Sequence, residues 1–214
     1  MKEEFWQERW ASGRMAFHED APNRFLRTHF SVLDVAPQSH VFVPLCGKST
    51  DLDWILDQGH RVTGIEFNGA AVDAVFARRA LIPQITRVSD LRRLSAGRLT
   101  LWQGDFFALN EIDLGPVDAV YDRAALVALP QNLREAYATR LPALTGTAQQ
   151  LVVSYSYDQS QTDGPPFSVP EAEIRRFYAD HFNVDLLASE DITGPLATRC
   201  AGKEQVWKLA PLRY

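Results

Sequence analysis

Four residues stand where open α/β sheets do their chemistry: Leu45, Glu66, Asp105 and Arg123 each close or directly follow an apolar run that reads as a parallel strand. An acid at the end of a second strand is the type and place that accepts the hydroxyls of a ribose, so Glu66 points to an adenosine-type ligand. Arg123 adds a fixed cation at a neighbouring strand end. Asp105 follows Gly104, where a glycine lets the chain turn closely past a ligand.

Those four positions depend on an alternating order of strands and helices. Val41 to Pro44 reads as a strand, Thr50 to Asp57 as a helix, Arg61 to Glu66 as a strand and Ala70 to Ala80 as a helix. Further strands are expected at Leu99 to Gln103, Val117 to Tyr121 and Gln150 to Tyr155, with a helix at Leu133 to Leu141. Right-handed crossovers stack these into one open, mostly parallel sheet with helices on both faces. After Pro170 a helix runs through Tyr178, and Asn183 to Ala188 with Glu204 to Leu209 form a terminal antiparallel hairpin. Ser89 to Gly97, with Arg92 and Arg93, reads as a polar excursion at the surface, and Asp163 to Pro166 as a non-helical connection.

The first turn restricts the ligand. Gly47-Lys48-Ser49 resembles the end of a phosphate loop, but such a loop needs a glycine five positions earlier, where Phe42 stands inside the strand. The three glycines of a dinucleotide turn are also missing, since only Gly47 is present. A cofactor without a pyrophosphate fits such a turn, and S-adenosylmethionine has a ribose for Glu66 and no phosphate to cradle.

Composition narrows the class further. The 214 residues are 46% hydrophobic, enough for one full core, and one domain spanning 1–214 is expected. A net charge of -5 without a basic stripe argues against nucleic acid as partner. Cys46 and Cys200 are too few for a disulfide scaffold and have no zinc-like spacing, which fits a reducing cytoplasm and no metal. No run approaches a membrane span, and Met1 to Trp10 lacks the apolar stretch of a leader.

The strings FWQERW (Phe5 to Trp10), AFHED (Ala16 to Asp20), PLCGKSTD (Pro44 to Asp51), GIE (Gly64 to Glu66), YDRAALVALP (Tyr121 to Pro130) and GPPFSVP (Gly164 to Pro170) resemble the bacterial type of thiopurine S-methyltransferase over nearly the whole length. The resemblance implies a Rossmann-like class I methyltransferase with a seven-stranded sheet, S-adenosylmethionine as donor and an aryl or heterocyclic thiol as acceptor. It implies cofactor contacts at Trp10, Leu45, Glu66, Asp105 and Arg123, and places Phe17 at the acceptor; Arg123 and Arg199 are the cations that could hold such an acidic thiol ionised. Residues 1–38 are expected to form a helical lid, and the protein to act as a monomer. Small selenium or tellurium species are an alternative acceptor class, and a non-catalytic adenosine-binding module is an alternative of another kind. Ala124 departs from the resemblance, since relatives often have glycine after the arginine, and Leu196 to Lys203 aligns poorly.

Each residue also has a plainer reading. Trp10 and Phe17 fit the apolar face of an amphipathic helix, Glu66 a solvated strand end, and Arg123 an ion pair with Asp122 or Asp118. Cys46 reads as a small buried hydrophobe rather than a nucleophile, and His18 as either a base or a loop residue.

Overall fold

A computed structural model describes residues 20–212. Along the chain run α1 (Arg24–His29), a 3-10 turn (Phe30–Leu33), β1 (His40–Val43), α2 (Asp51–Asp57), β2 (Arg61–Glu66), α3 (Gly69–Arg78), β3 (Gln84–Val88), β4 (Leu91–Ala96) and β5 (Leu99–Gln103). These are followed by α4 (Glu111–Leu114), β6 (Ala119–Arg123), α5 (Gln131–Thr145), β7 (Gln149–Tyr157), α6 (Glu171–Tyr178), β8 (Phe182–Asp191), α7 (Gly194–Ala197) and β9 (Gly202–Pro211). Among the described residues the strands form one nine-stranded sheet in the order β3-β4-β5-β2-β1-β6-β7-β9-β8.

The five strands β5, β2, β1, β6 and β7 are parallel to their neighbours within that group, so their carboxyl ends open on one edge. β9 runs antiparallel between β7 and β8. All seven strands expected from the sequence are present. β3 and β4 are additional, and β4 corrects the reading of Ser89 to Gly97 as a polar excursion. Leu91 and Leu94 lie three apart and so are buried on opposite faces, and the arginines between them break the alternation by which a strand is recognised.

Alternation along the strands divides the core. Val41 and Val43 of β1 join Leu52 and Ile55 of α2 and Val72 and Val75 of α3 on one face. Phe42, one residue out of phase, joins Tyr137 and Leu141 of α5 and Ile174 of α6 on the other. A fully buried β1, apolar from Val41 to Val43, is what a central parallel strand requires, because helices cover both its sides. α1 also belongs to this core: Phe25 and Leu26 are buried with β1 and α2.

Candidate active site

The chain leaves β1 through a turn with two left-handed residues, Leu45 at φ 45° and Gly47 at φ 54°. Glycine adopts this region freely, whereas leucine is strained there, so the surroundings must hold Leu45 in place. Two bonds to β2 do so. The Cys46 N–H donates to the Ile65 carbonyl at 3.0 Å, and the Gly47 N–H donates to Glu66 Oε2 at 2.9 Å. Gly64 makes this approach possible, since a Cβ there would lie 2.7 Å from Cys46 Sγ.

Glu66 is 8% exposed, and its other oxygen, Oε1, accepts the Asn68 N–H at 2.8 Å. Burial pushes its pKa above the usual carboxylate value, while the backbone N–H donors pull it back. Asn68 in turn caps α3, its Oδ1 accepting the Ala71 N–H at 3.0 Å. A carboxylate has about four acceptor positions. The Gly47 and Asn68 N–H groups take one position on each oxygen and the Phe67 N–H is a further donor, which leaves acceptor capacity for a ribose hydroxyl.

The Glu66 carbonyl accepts the Gly104 N–H at 3.1 Å, which ties the end of β2 to the turn after β5. Gly104 sits at φ 146°, and a Cβ there would lie 2.4 Å from the Leu91 side chain, so the turn requires glycine. Asp105 follows it, exposed, and its Oδ1 caps a short 3-10 turn through the Phe107 N–H at 3.0 Å.

Arg123 ends β6 with its side chain 7% exposed. Its partner is neither Asp118 nor Asp122. Asp118 Oδ2 accepts the His40 N–H at 2.7 Å, beside the start of β1. Asp122, one residue out of phase with Arg123, faces the opposite side of the sheet, where its Oδ2 accepts the Tyr137 hydroxyl at 2.7 Å and its Oδ1 the Leu126 N–H at 3.1 Å. Burial raises the Asp122 pKa to about 6. Arg123 instead pairs with Asp51 of α2, at 3.5 Å. Asp51 is 1% exposed, and it also accepts the Asn23 N–H at 2.7 Å and the Tyr121 hydroxyl at 3.2 Å. The sequence reading passed over Asp51. The available signal was its place in the PLCGKSTD string, one turn of chain beyond the glycine.

Ala124 has φ 62°, a left-handed conformation that explains why glycine suits the position. Arg199 is exposed in the connection between β8 and β9. The pairing of Gly202 with Tyr157 sets that connection at the carboxyl end of β7, on the same edge as the other strand ends. Trp10, Phe17 and His18 lie outside the described residues. Cys46 is buried, and burial together with nearby Glu66 pushes its thiol pKa well up, which opposes thiolate chemistry. Among the described residues no cluster of His, Cys, Asp and Glu is arranged to hold a metal ion, and no helix is long and apolar enough to cross a membrane.

Leu45, Glu66, Asp105 and Arg123 are thus brought to the ends of β1, β2, β5 and β6, adjacent strands of one sheet edge. Residues 1–210 match the family described as thiopurine S-methyltransferase. A thiopurine S-methyltransferase of Xanthobacter autotrophicus is 47% identical over 210 residues, covering 98% of this chain and 99% of that protein. One of Gluconobacter oxydans is 45% identical over 208 residues, covering 97% and 94%. Among solved structures, the 1,6-didemethyltoxoflavin-N1-methyltransferase of Burkholderia thailandensis superposes with a TM-score of 0.64 at 16% identity, covering 97% of this chain and 86% of that one. That protein was solved with 1,6-didemethyltoxoflavin and S-adenosylhomocysteine bound.

Proposed function

Because the chain belongs to the thiopurine S-methyltransferase family, we propose that the edge formed by β1, β2, β5 and β6 holds S-adenosylmethionine for methyl transfer to the sulfur of an aromatic or heterocyclic thiol. The protein is an S-adenosylmethionine-dependent methyltransferase. When bound, that cofactor supplies an electrophilic methyl group on a sulfonium centre. Glu66 takes the ribose hydroxyls, the turn at Leu45 approaches the ligand through backbone, and the Gly104-Asp105 turn borders the adenine. Arg123 takes the methionine carboxylate as a cation buried enough to be little screened.

The acceptor is the anion of an acidic thiol, which needs no base because it is ionised before it binds. Arg199, on the same edge, supplies positive charge on the acceptor side, and Phe17 and Trp10 of the 1–38 lid supply aromatic walls. Residues 24–33 of the 1–38 segment pack into the core through Phe25, Leu26, Phe30 and Leu33. The chain works as a monomer on a small molecule.

The observation that carries this reading is Glu66 holding the turn after β1 through Gly47 while retaining acceptor capacity. Its test is calorimetric titration with S-adenosylhomocysteine, followed by a methyl-transfer assay on heteroaryl thiols, with selenite in parallel. Binding with thiol turnover supports the reading. Turnover of selenite alone moves the acceptor to selenium, and no binding at high micromolar ligand removes the cofactor assignment.

A further inference from the structure

The buried carboxylate of Asp51 is not one of the strand-end groups, yet three groups from distant parts of the chain meet on it. It faces Arg123 of β6 at 3.5 Å, accepts the hydroxyl of Tyr121, two residues earlier on the same face of β6, at 3.2 Å, and accepts the backbone N–H of Asn23 at 2.7 Å. The ion pair is almost fully removed from water, with the Arg123 side chain 7% exposed and that of Asp51 2% exposed. A pair so buried gives little net stability, because desolvation of both charges offsets most of their attraction. What it fixes is geometry. A guanidinium presents its donors in a rigid plane, so anchoring one nitrogen sets the direction of the others.

We infer that Asp51 is a positioning residue: through its contact with Arg123 it aims that guanidinium at the carboxylate of the bound cofactor's amino-acid tail. The role rests on the assignment of Arg123 to that carboxylate. Asp51 reaches no ligand itself. It acts by holding the arginine, with Tyr121 and Asn23 fixing the carboxylate in turn.

The test compares two ligands on the same protein samples by calorimetry. S-adenosylhomocysteine carries the amino-acid carboxylate, and 5′-methylthioadenosine carries the same adenosine without it. D51N keeps an oxygen for the Asn23 N–H and removes the charge, and it should weaken S-adenosylhomocysteine about tenfold to a hundredfold, the size of one charge-assisted hydrogen bond. Affinity for 5′-methylthioadenosine should not change, which a general structural disturbance would not produce. D51E retains the charge but displaces it by one methylene. It should show the same selective loss, and it carries the test where D51N does not fold. Equal weakening of both ligands, or of neither, overturns the positioning role. R123M separates the two claims: if it weakens S-adenosylhomocysteine and the Asp51 variants do not, the positioning role alone falls. If R123M has no effect, the carboxylate assignment falls and the positioning role with it.

Discussion

Glu66 Oε2 accepts the N–H of Gly47 at 2.9 Å, so the acid that ends β2 holds the turn that follows β1. The same side chain is therefore both a ligand acceptor and a clamp on its neighbour strand's exit. This makes Glu66→Gln a harsher change than it looks. Both carboxylate oxygens accept backbone N–H groups, so an amide must set its own NH2 donor against one of them. Affinity for S-adenosylhomocysteine should fall about tenfold to a hundredfold in calorimetry. An unchanged Kd would remove Glu66 from the site.

Asp122 ties stability to pH. Its carboxyl is raised from 3.8 to about 6, chiefly by burial. The folded protein therefore binds this proton more tightly than the unfolded chain. Between those two values the folded state holds more protons, so this residue's contribution falls as pH rises from about 4 to about 6, by about 3 kcal/mol. Chemical denaturation across that range should show a slope that Asp122→Asn flattens. If wild type and variant give parallel pH profiles, the buried carboxyl is not the source.

Ala124 is strained by its left-handed backbone. Ala124→Gly should raise stability by about 0.5 to 1 kcal/mol, because the released strain exceeds the added freedom of the unfolded chain. Denaturant midpoints at an unchanged m-value provide the measurement, and a loss of stability would mean that the methyl group packs usefully.

Arg199 is exposed, so its electrostatic contribution is small. Arg199→Ala should raise the acceptor's KM about fivefold or less and leave the Kd of S-adenosylhomocysteine unchanged. The reverse pattern would put Arg199 on the cofactor side.

Cys46 stays a structural residue if Cys46→Ala still turns over thiol and if alkylating reagents fail to label it in the folded protein. Its thiol is buried against Gly64 with a pKa raised by that burial, so both results are expected. Rapid labelling with loss of activity would reopen a nucleophilic role.

The strand ends were legible in the sequence because central parallel strands are covered on both sides and read as short, mostly apolar runs. Val41 to Val43 is such a run and Val62 to Ile65 another, polar only at Thr63, and Leu45, Glu66, Asp105 and Arg123 stand where these and the later runs close. β4 was hidden because Leu91 and Leu94 serve opposite faces, which no single-face pattern records. Asp51 was hidden for a different reason. Acids in the first turn of a helix are common for electrostatic reasons alone, and α2 has two, Asp51 and Asp53. Only the packing of α2 against β6 separates them: Asp53 pairs with Arg78 and Arg79 near the surface, and Asp51 with Arg123 in the interior.

The place of β9 between β7 and β8 governs how the chain can assemble during synthesis. β8 emerges from the ribosome before β9, yet among the described residues its ladder in the sheet is formed with β9 alone. Until the later strand arrives, β8 is an unpaired strand beside an open edge of β7, the kind of surface on which nascent chains mispair. Completion of this half of the sheet therefore waits for the last strand described, whatever the speed at which the β1 to β7 half has formed.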